Sequence, residues 1–62
     1  MADLLTEKEA AQILGVQPQS LAVWRLRREK LPFLKIGRLV RYRREDIERW
    51  IVAHTVQVEE GR

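Results

Sequence analysis

The sequence contains no cysteine, one histidine and two prolines in 62 residues. Without cysteine there are no disulfides and no thiolate zinc sites, and His54 alone cannot assemble a metal centre. No cofactor is expected. No cluster of nucleophile, base and orienting group can be built around a single histidine, so the chain reads as a non-enzyme, with little room for a small-molecule pocket. Long apolar runs are missing too. No stretch approaches the roughly 18 residues of a membrane span, and Met1-Ala2-Asp3 lacks the basic and apolar regions of a signal peptide. The expectation is a soluble, cytoplasmic protein without a membrane partner. At this length only about 60% of the unfolded surface is buried on folding, so stability without a staple rests on packing or on partners.

What the chain does have is basic charge in one place. Between Arg25 and Arg44 stand nine lysines and arginines against one acid, Glu29, a net +8 inside a protein of +3. Residues 1–24 sum to −2 and residues 45–62 to −3. Segregation of this kind favours one face meeting a polyanion over a generally adhesive surface.

Thr6-Glu7-Lys8-Glu9 has the form of a capping box, which predicts a first helix from about Glu7 with Ala10, Ala11, Ile13 and Leu14 inward. Gly15 supplies the left-handed residue that closes it. Only Val16 and Gln17 then precede Pro18, which is best tolerated at the first position of a new helix. Helix, short glycine-containing turn and helix is the spacing of a helix-turn-helix, with the second helix as candidate reader. That helix is expected to run to about Lys30, ended by Leu31-Pro32. Its larger apolar pair, Leu21 and Trp24, is assigned to the core, with Arg25 and Arg28 burying their stems at its edge while their charges reach solvent. Ala22, Val23 and Leu26 are left outward.

In Leu34–Tyr42, Leu34, Ile36, Val40 and Tyr42 are apolar and even-numbered, while Lys35, Arg41 and Arg43 are basic and odd-numbered. Placing the even set on one face requires an odd loop, so a three-residue turn, Gly37-Arg38-Leu39, is expected, with one hairpin face core and the other cationic. Arg44-Glu45-Asp46-Ile47 opens a last helix with acids where the helix dipole favours them. Its predicted buried stripe is Ile47, Trp50, Ile51 and His54. Glu45 and Arg49 are placed as a surface pair. The expected fold is mainly α with a small β-hairpin: one domain over 1–54 and a flexible tail over 55–62.

The runs Leu5-Thr6-Glu7-Lys8-Glu9-Ala10-Ala11, Leu14-Gly15-Val16, Trp24-Arg25, Lys35-Ile36-Gly37-Arg38 and Val40–Ile51 resemble the excisionase-family winged helix-turn-helix proteins, relatives of the DNA-binding domain of MerR-type regulators. The resemblance spans about residues 4–53. It implies a recognition helix over Pro18–Lys30 in the major groove and a wing over Leu34–Tyr42 against the backbone or the neighbouring minor groove. It further implies double-stranded DNA as partner, cytoplasmic and nucleoid-associated, and an excisionase (recombination directionality factor) role, in which tandem copies bend an attachment site and steer the integrase of a phage or other mobile genetic element towards excision. Small transcriptional regulators use the same surface, and a protein-interaction module of antirepressor type would use Ala22, Val23 and Leu26 instead. The sequence departs from the family pattern at Ala22 and Val23, often polar or basic, at Leu39, often arginine, and at Arg28, often glycine. The last departure leaves the family's sharp exit from the second helix in question.

Within that frame the residues assigned to DNA are Gln17, Gln19, Ser20, Val23, Arg25, Leu26, Arg27, Lys35, Arg38, Leu39, Arg41 and Arg43. Gln is a poor N-cap, so Gln17 is not there mainly for helix stability. Gln19 suits a bidentate bond to adenine, and Ser20 suits a phosphate. Ala22, Val23 and Leu26 either meet thymine methyls, or are partly core in a rotated helix, or form a protein interface. Leu39 either wedges into a minor groove, packs on a neighbouring protomer, or folds back on the wing. Arg25 and Arg27 on the helix and Lys35, Arg38, Arg41 and Arg43 on the wing are expected to meet phosphates, with Lys35, Arg38 and Arg41 as the clamp. Cooperative self-association on DNA is expected through Asp3/Glu7/Glu9 or Glu45/Asp46/Glu48 docking on a neighbour's basic wing.

Overall fold

Thr6 starts the first helix by the reciprocal bonding its sequence predicts. Its hydroxyl accepts from the Glu9 N–H at 3.1 Å, and its own N–H donates to Glu9 Oε1 at 2.9 Å. Those bonds, the backbone one first, hold the Glu9 carboxyl below its usual range, with the charges of Arg41 and Arg44 adding to the effect. The computed structural model describes residues 3–58. Its elements in chain order are β1 (Leu4–Leu5), α1 (Glu7–Leu14), α2 (Pro18–Leu26), β2 (Leu34–Ile36), β3 (Leu39–Arg43) and α3 (Arg44–Ala53). Gly15 closes α1 at φ 71°, and Pro18 opens α2.

The second helix ends earlier than its basic tail suggests. Arg28 takes φ 52°, its N–H bonds the Arg25 carbonyl, and the Glu29 N–H reaches back to Trp24 at 3.0 Å. These two bonds are a Schellman closure with Arg28 at the position glycine usually occupies, which corrects the expectation that α2 continues to Lys30.

The hairpin register is also different from the expected one. Leu34 pairs with Arg41, Lys35 with Val40 and Ile36 with Leu39, so the loop is the two residues Gly37-Arg38. Gly37 has φ 62° at the first central position, the requirement of a type II′ turn, whose twist matches that of the flanking strands. A shift of one residue moves side chains to opposite faces. Val40 and Tyr42 remain inward, whereas Ile36 is 52% and Leu39 53% exposed. Lys35 therefore shares the face of Val40 and Tyr42, while Arg41 lies on the other face with Leu34, Ile36 and Leu39. The expected single cationic face does not form.

β1 completes an antiparallel sheet of order β1-β3-β2, pairing Leu5 with Tyr42 and Leu4 with Arg43. Nothing in the sequence reading anticipated it. The core gathers Leu5, Ala10, Ala11, Leu21, Leu31, Tyr42 and Ile47, with Leu14, Trp24, Val40 and Trp50 packed around it. Ile13 and Ile51, assigned inward, are exposed. His54, assigned to the buried stripe, is exposed at the end of α3, where it stacks on Trp50 at 3.8 Å. α3 is held on the core through Ile47 and Trp50, while Ile51 and Val52 beyond them are exposed. Arg49 bonds both Glu45, at 3.4 Å, and Asp46, at 3.1 Å. No secondary structure follows His54 among the described residues, and the end of the expected tail, 59–62, lies outside them. Three helices with a small antiparallel sheet whose hairpin projects as a wing make a winged helix-turn-helix fold.

Candidate nucleic-acid interface

One carboxylate ties the two helices of the motif to the sheet. Glu7 Oε2 accepts from Arg25 Nε at 2.9 Å and from the Tyr42 hydroxyl at 2.8 Å, joining α1, α2 and β3. Burial, then the bond to Glu7 and its negative charge, push the Tyr42 phenol well above its usual range. The Arg25–Glu7 hydrogen bond raises the Arg25 guanidinium. Arg25 is thus ion-paired within the chain at the edge of the core, with 24% of its side chain exposed, which corrects the expectation that its charge is simply released to solvent.

With Arg25 engaged, the outward face of α2 is electrically neutral. Gln17 caps the helix without a side-chain bond, and neither Gln17 nor Gln19 has a side-chain hydrogen-bond partner among the described residues. Both are exposed, Ser20 and Ala22 are half-buried, Val23 is exposed and Leu26 is 75% exposed. Leu21 on the opposite side is fully buried and Trp24 packs on Trp50 at 5.6 Å between ring centroids. Leu26 therefore does not belong to the core, and the rotated-helix reading fails for it.

The cations divide by partner. Arg44 bonds Asp3 at 3.4 Å, Arg27 approaches Glu29 at 3.7 Å and Arg43 approaches Asp46 at 4.0 Å. These are loose pairs whose cations are exposed and can exchange for another anion. Arg28, Lys30, Lys35, Arg38 and Arg41 have no acidic partner within salt-bridge distance among the described residues. Arg28 and Lys35 line one cleft with Arg25, Leu26 and Phe33, running from the end of α2 to the wing strand. Arg38 stands at the wing tip. Arg41 is not brought to that cleft: it lies on the outer sheet face, half-buried, and donates to the Val40 carbonyl at 2.8 Å. Leu39 is at the tip beside Ile36 and does not fold back onto the core.

A neutral helix exposing amides and aliphatics, a three-residue turn before it and a cationic wing beside it form the geometry of major-groove docking. The family model described as a helix-turn-helix domain matches residues 4–54. The chain belongs to this helix-turn-helix family. No curated protein and no solved structure gives a match. The helix-turn-helix domain makes this a small DNA-binding protein, with DNA as its partner. No helix among its described residues is long and apolar enough to cross a membrane.

Two residues of the helix-turn-helix surface escaped the sequence reading. Arg28, read as a core-edge residue with its charge in solvent, and Lys30 are in the basic run but not among the residues assigned to DNA, because both are placed inside a continuing helix. The signal that could have found them is the glycine usually seen at position 28 in the resembling family. Its replacement by arginine left the sharp exit in question, but the exit is present and arginine occupies it.

Proposed function

We propose that this protein is an architectural DNA-binding factor of the excisionase type, a recombination directionality factor that binds beside attachment sites and promotes integrase-mediated excision without itself changing DNA covalently. The observation that carries the reading is the separation of charge from the reading helix. α2 offers two glutamines, a serine and aliphatics to the major groove, while the unpartnered cations sit on the exit loop and the wing. Such a surface draws its affinity from phosphates and has few groups with which to read bases. Site choice then comes from DNA deformability and from repetition along the duplex, which suits a protein that bends DNA for another enzyme.

Tandem occupancy belongs to this proposal, but the carboxylate docking expected from sequence has little support. Asp3, Glu7, Glu45 and Asp46 are ion-paired within the chain and Glu9 is held in its cap, which leaves Glu48 as the one member of the two sets without such a partner among the described residues. Cooperation through DNA is the better route, since a bend made by one protomer lowers the deformation cost for the next. Genome-wide mapping of bound sites tests the whole reading. Adjacent sites clustered on attachment-site arms are the expected result; isolated sites at promoters replace it with the role of a transcriptional regulator.

A further inference from the structure

The loop between α2 and β2 holds two cations in backbone conformations that side chains avoid. Arg28 at φ 52° and Lys30 at φ 72° are the only non-glycine residues with positive φ among the described residues. Arg28 fills the glycine position of the Schellman closure. Lys30 is the centre of an even tighter turn, in which the Leu31 N–H donates to the Glu29 carbonyl at 2.8 Å, the ring of a γ-turn whose positive-φ form is strained. Glycine would enter either position without steric cost, and glycine closes α1 in this same chain.

The side chains kept there are positioned. The Lys30 ammonium stands 5.6 Å from the Trp24 ring centroid, and Trp24 is itself packed on Trp50. Arg28 lines the cleft that contains Leu26 and Lys35, and an adjoining cleft is lined by Arg28, Lys30 and Lys35 together with Glu29 and Phe33. The one acid of the loop, Glu29, leans towards Arg27 at 3.7 Å and leaves the other two unneutralised. Leu31, 5% exposed, anchors the far end of the loop in the core. Local strain of this kind persists where the surrounding structure over-determines it, and it concentrates at ligand clamps.

We propose that Arg28 and Lys30, with Lys35, form a phosphate grip between the recognition helix and the wing, holding the DNA backbone where it passes from the groove occupied by α2 to the wing. This rests on the DNA-binding reading above and assigns a site to two residues outside the helix and outside the wing. Arg28 lines the cleft that holds Leu26, and Lys30 lines the adjoining one, so the grip sets the depth at which the neutral helix enters the groove.

The test pairs two readouts with opposite signs. Arg28→Gly and Lys30→Gly relieve positive φ, so each variant is expected to melt at the same temperature as the unmodified chain or higher. Each is expected to weaken binding to a mixed-sequence duplex by roughly tenfold, the worth of one charge-assisted contact. The slope of log affinity against log salt is expected to fall by about 0.9 per substitution. Arg28→Lys retains the charge and the slope. Unchanged affinity and slope in both glycine variants overturn the grip alone, whatever their melting temperatures. Absence of duplex binding by the unmodified chain overturns the grip and the DNA-binding reading together.

Discussion

Glu7→Ala is expected to lower the thermal midpoint of unfolding by roughly 10–20 °C, the equivalent of about 2–3 kcal/mol in a domain of this size. The substitution removes the acceptor for two donors at once. The Tyr42 side chain is almost fully buried, so its hydroxyl loses its only hydrogen-bond partner without gaining water. Leaving a buried donor unsatisfied costs about 1–3 kcal/mol. Arg25, with a quarter of its side chain exposed, recovers part of its solvation and adds a smaller loss. Tyr42→Phe separates the two contributions. It deletes one donor and leaves the Glu7–Arg25 bond, so about 1 kcal/mol is expected. In Glu7→Ala/Tyr42→Phe the loss is expected to be smaller than the sum, because no orphaned hydroxyl remains. Differential scanning calorimetry on the four proteins checks this. Additive losses would mean that the three side chains do not act as one network, and that the α1–α2 angle is fixed by apolar packing alone.

Leu26→Asp carries the second large effect, on DNA binding with folding spared. Leu26 is 75% exposed, so a polar replacement is expected to change stability by no more than about 0.5 kcal/mol. Against DNA the same carboxylate either meets base edges and phosphates unpaired or takes Arg28 or Lys35, which share its cleft, away from the backbone. An uncompensated charge at a desolvated contact costs about 3–5 kcal/mol, so affinity for a mapped site is expected to fall at least about hundredfold. Gln19→Ala at the other end of α2 is expected to behave differently, altering preference between sites more than overall affinity, since a bidentate amide–adenine pair is worth about 1–3 kcal/mol at one base pair only. Fluorescence anisotropy on two or more mapped sites distinguishes these outcomes. Full DNA affinity in a folded Leu26→Asp protein would place the exposed aliphatics in a protein interface instead.

Much of the fold was legible because it is written in local chemistry. Thr6 and Glu9 are three residues apart, Gly15 and Pro18 punctuate the turn, and each dictates its element without knowledge of the rest of the chain. Leu21 and Trp24 were placed correctly by size, and Leu26 was correctly left outward. The errors share a physical origin. Parity in Leu34–Tyr42 assumed that every apolar residue of the hairpin faces the core, but β2 is a three-residue edge strand reaching beyond it, so Ile36 is under no such demand. The dipeptide Gly37-Arg38 carried better information, because a type II′ turn needs glycine first. β1 and the Glu7–Arg25 bond depend on partners far away in sequence, 18 residues in the case of the ion pair, and no periodicity reveals them. The end of α2 was hidden because arginine occupies a conformation normally signalled by glycine.

The candidate surface was legible as a charge run, but the run alone did not show which charges are available. Arg25 reads like its neighbours in sequence and is ion-paired to Glu7 in structure. Arg41 alternates with Val40 and Tyr42 as a wing cation should, yet lies on the sheet face away from the cleft. Arg28 and Lys30, read as helix, stand at the junction of helix and wing. Partner assignment changes the basic stretch from an undivided patch into a neutral reading helix bordered by a cationic loop and wing.

The central claim is that affinity comes from cations without internal partners and not from the basic run as a whole. The most direct measurement is the salt dependence of binding to a mixed-sequence duplex for three proteins: the unmodified chain, Arg25→Ala and Lys35→Ala/Arg38→Ala. All are to be compared at a temperature where circular dichroism shows each to be folded. Arg25→Ala is expected to keep the slope of the unmodified chain, while Lys35→Ala/Arg38→Ala is expected to lose about 1.8 of it, two phosphates at about 0.9 each. A slope that falls in Arg25→Ala, or one that survives the loss of Lys35 and Arg38, would contradict it.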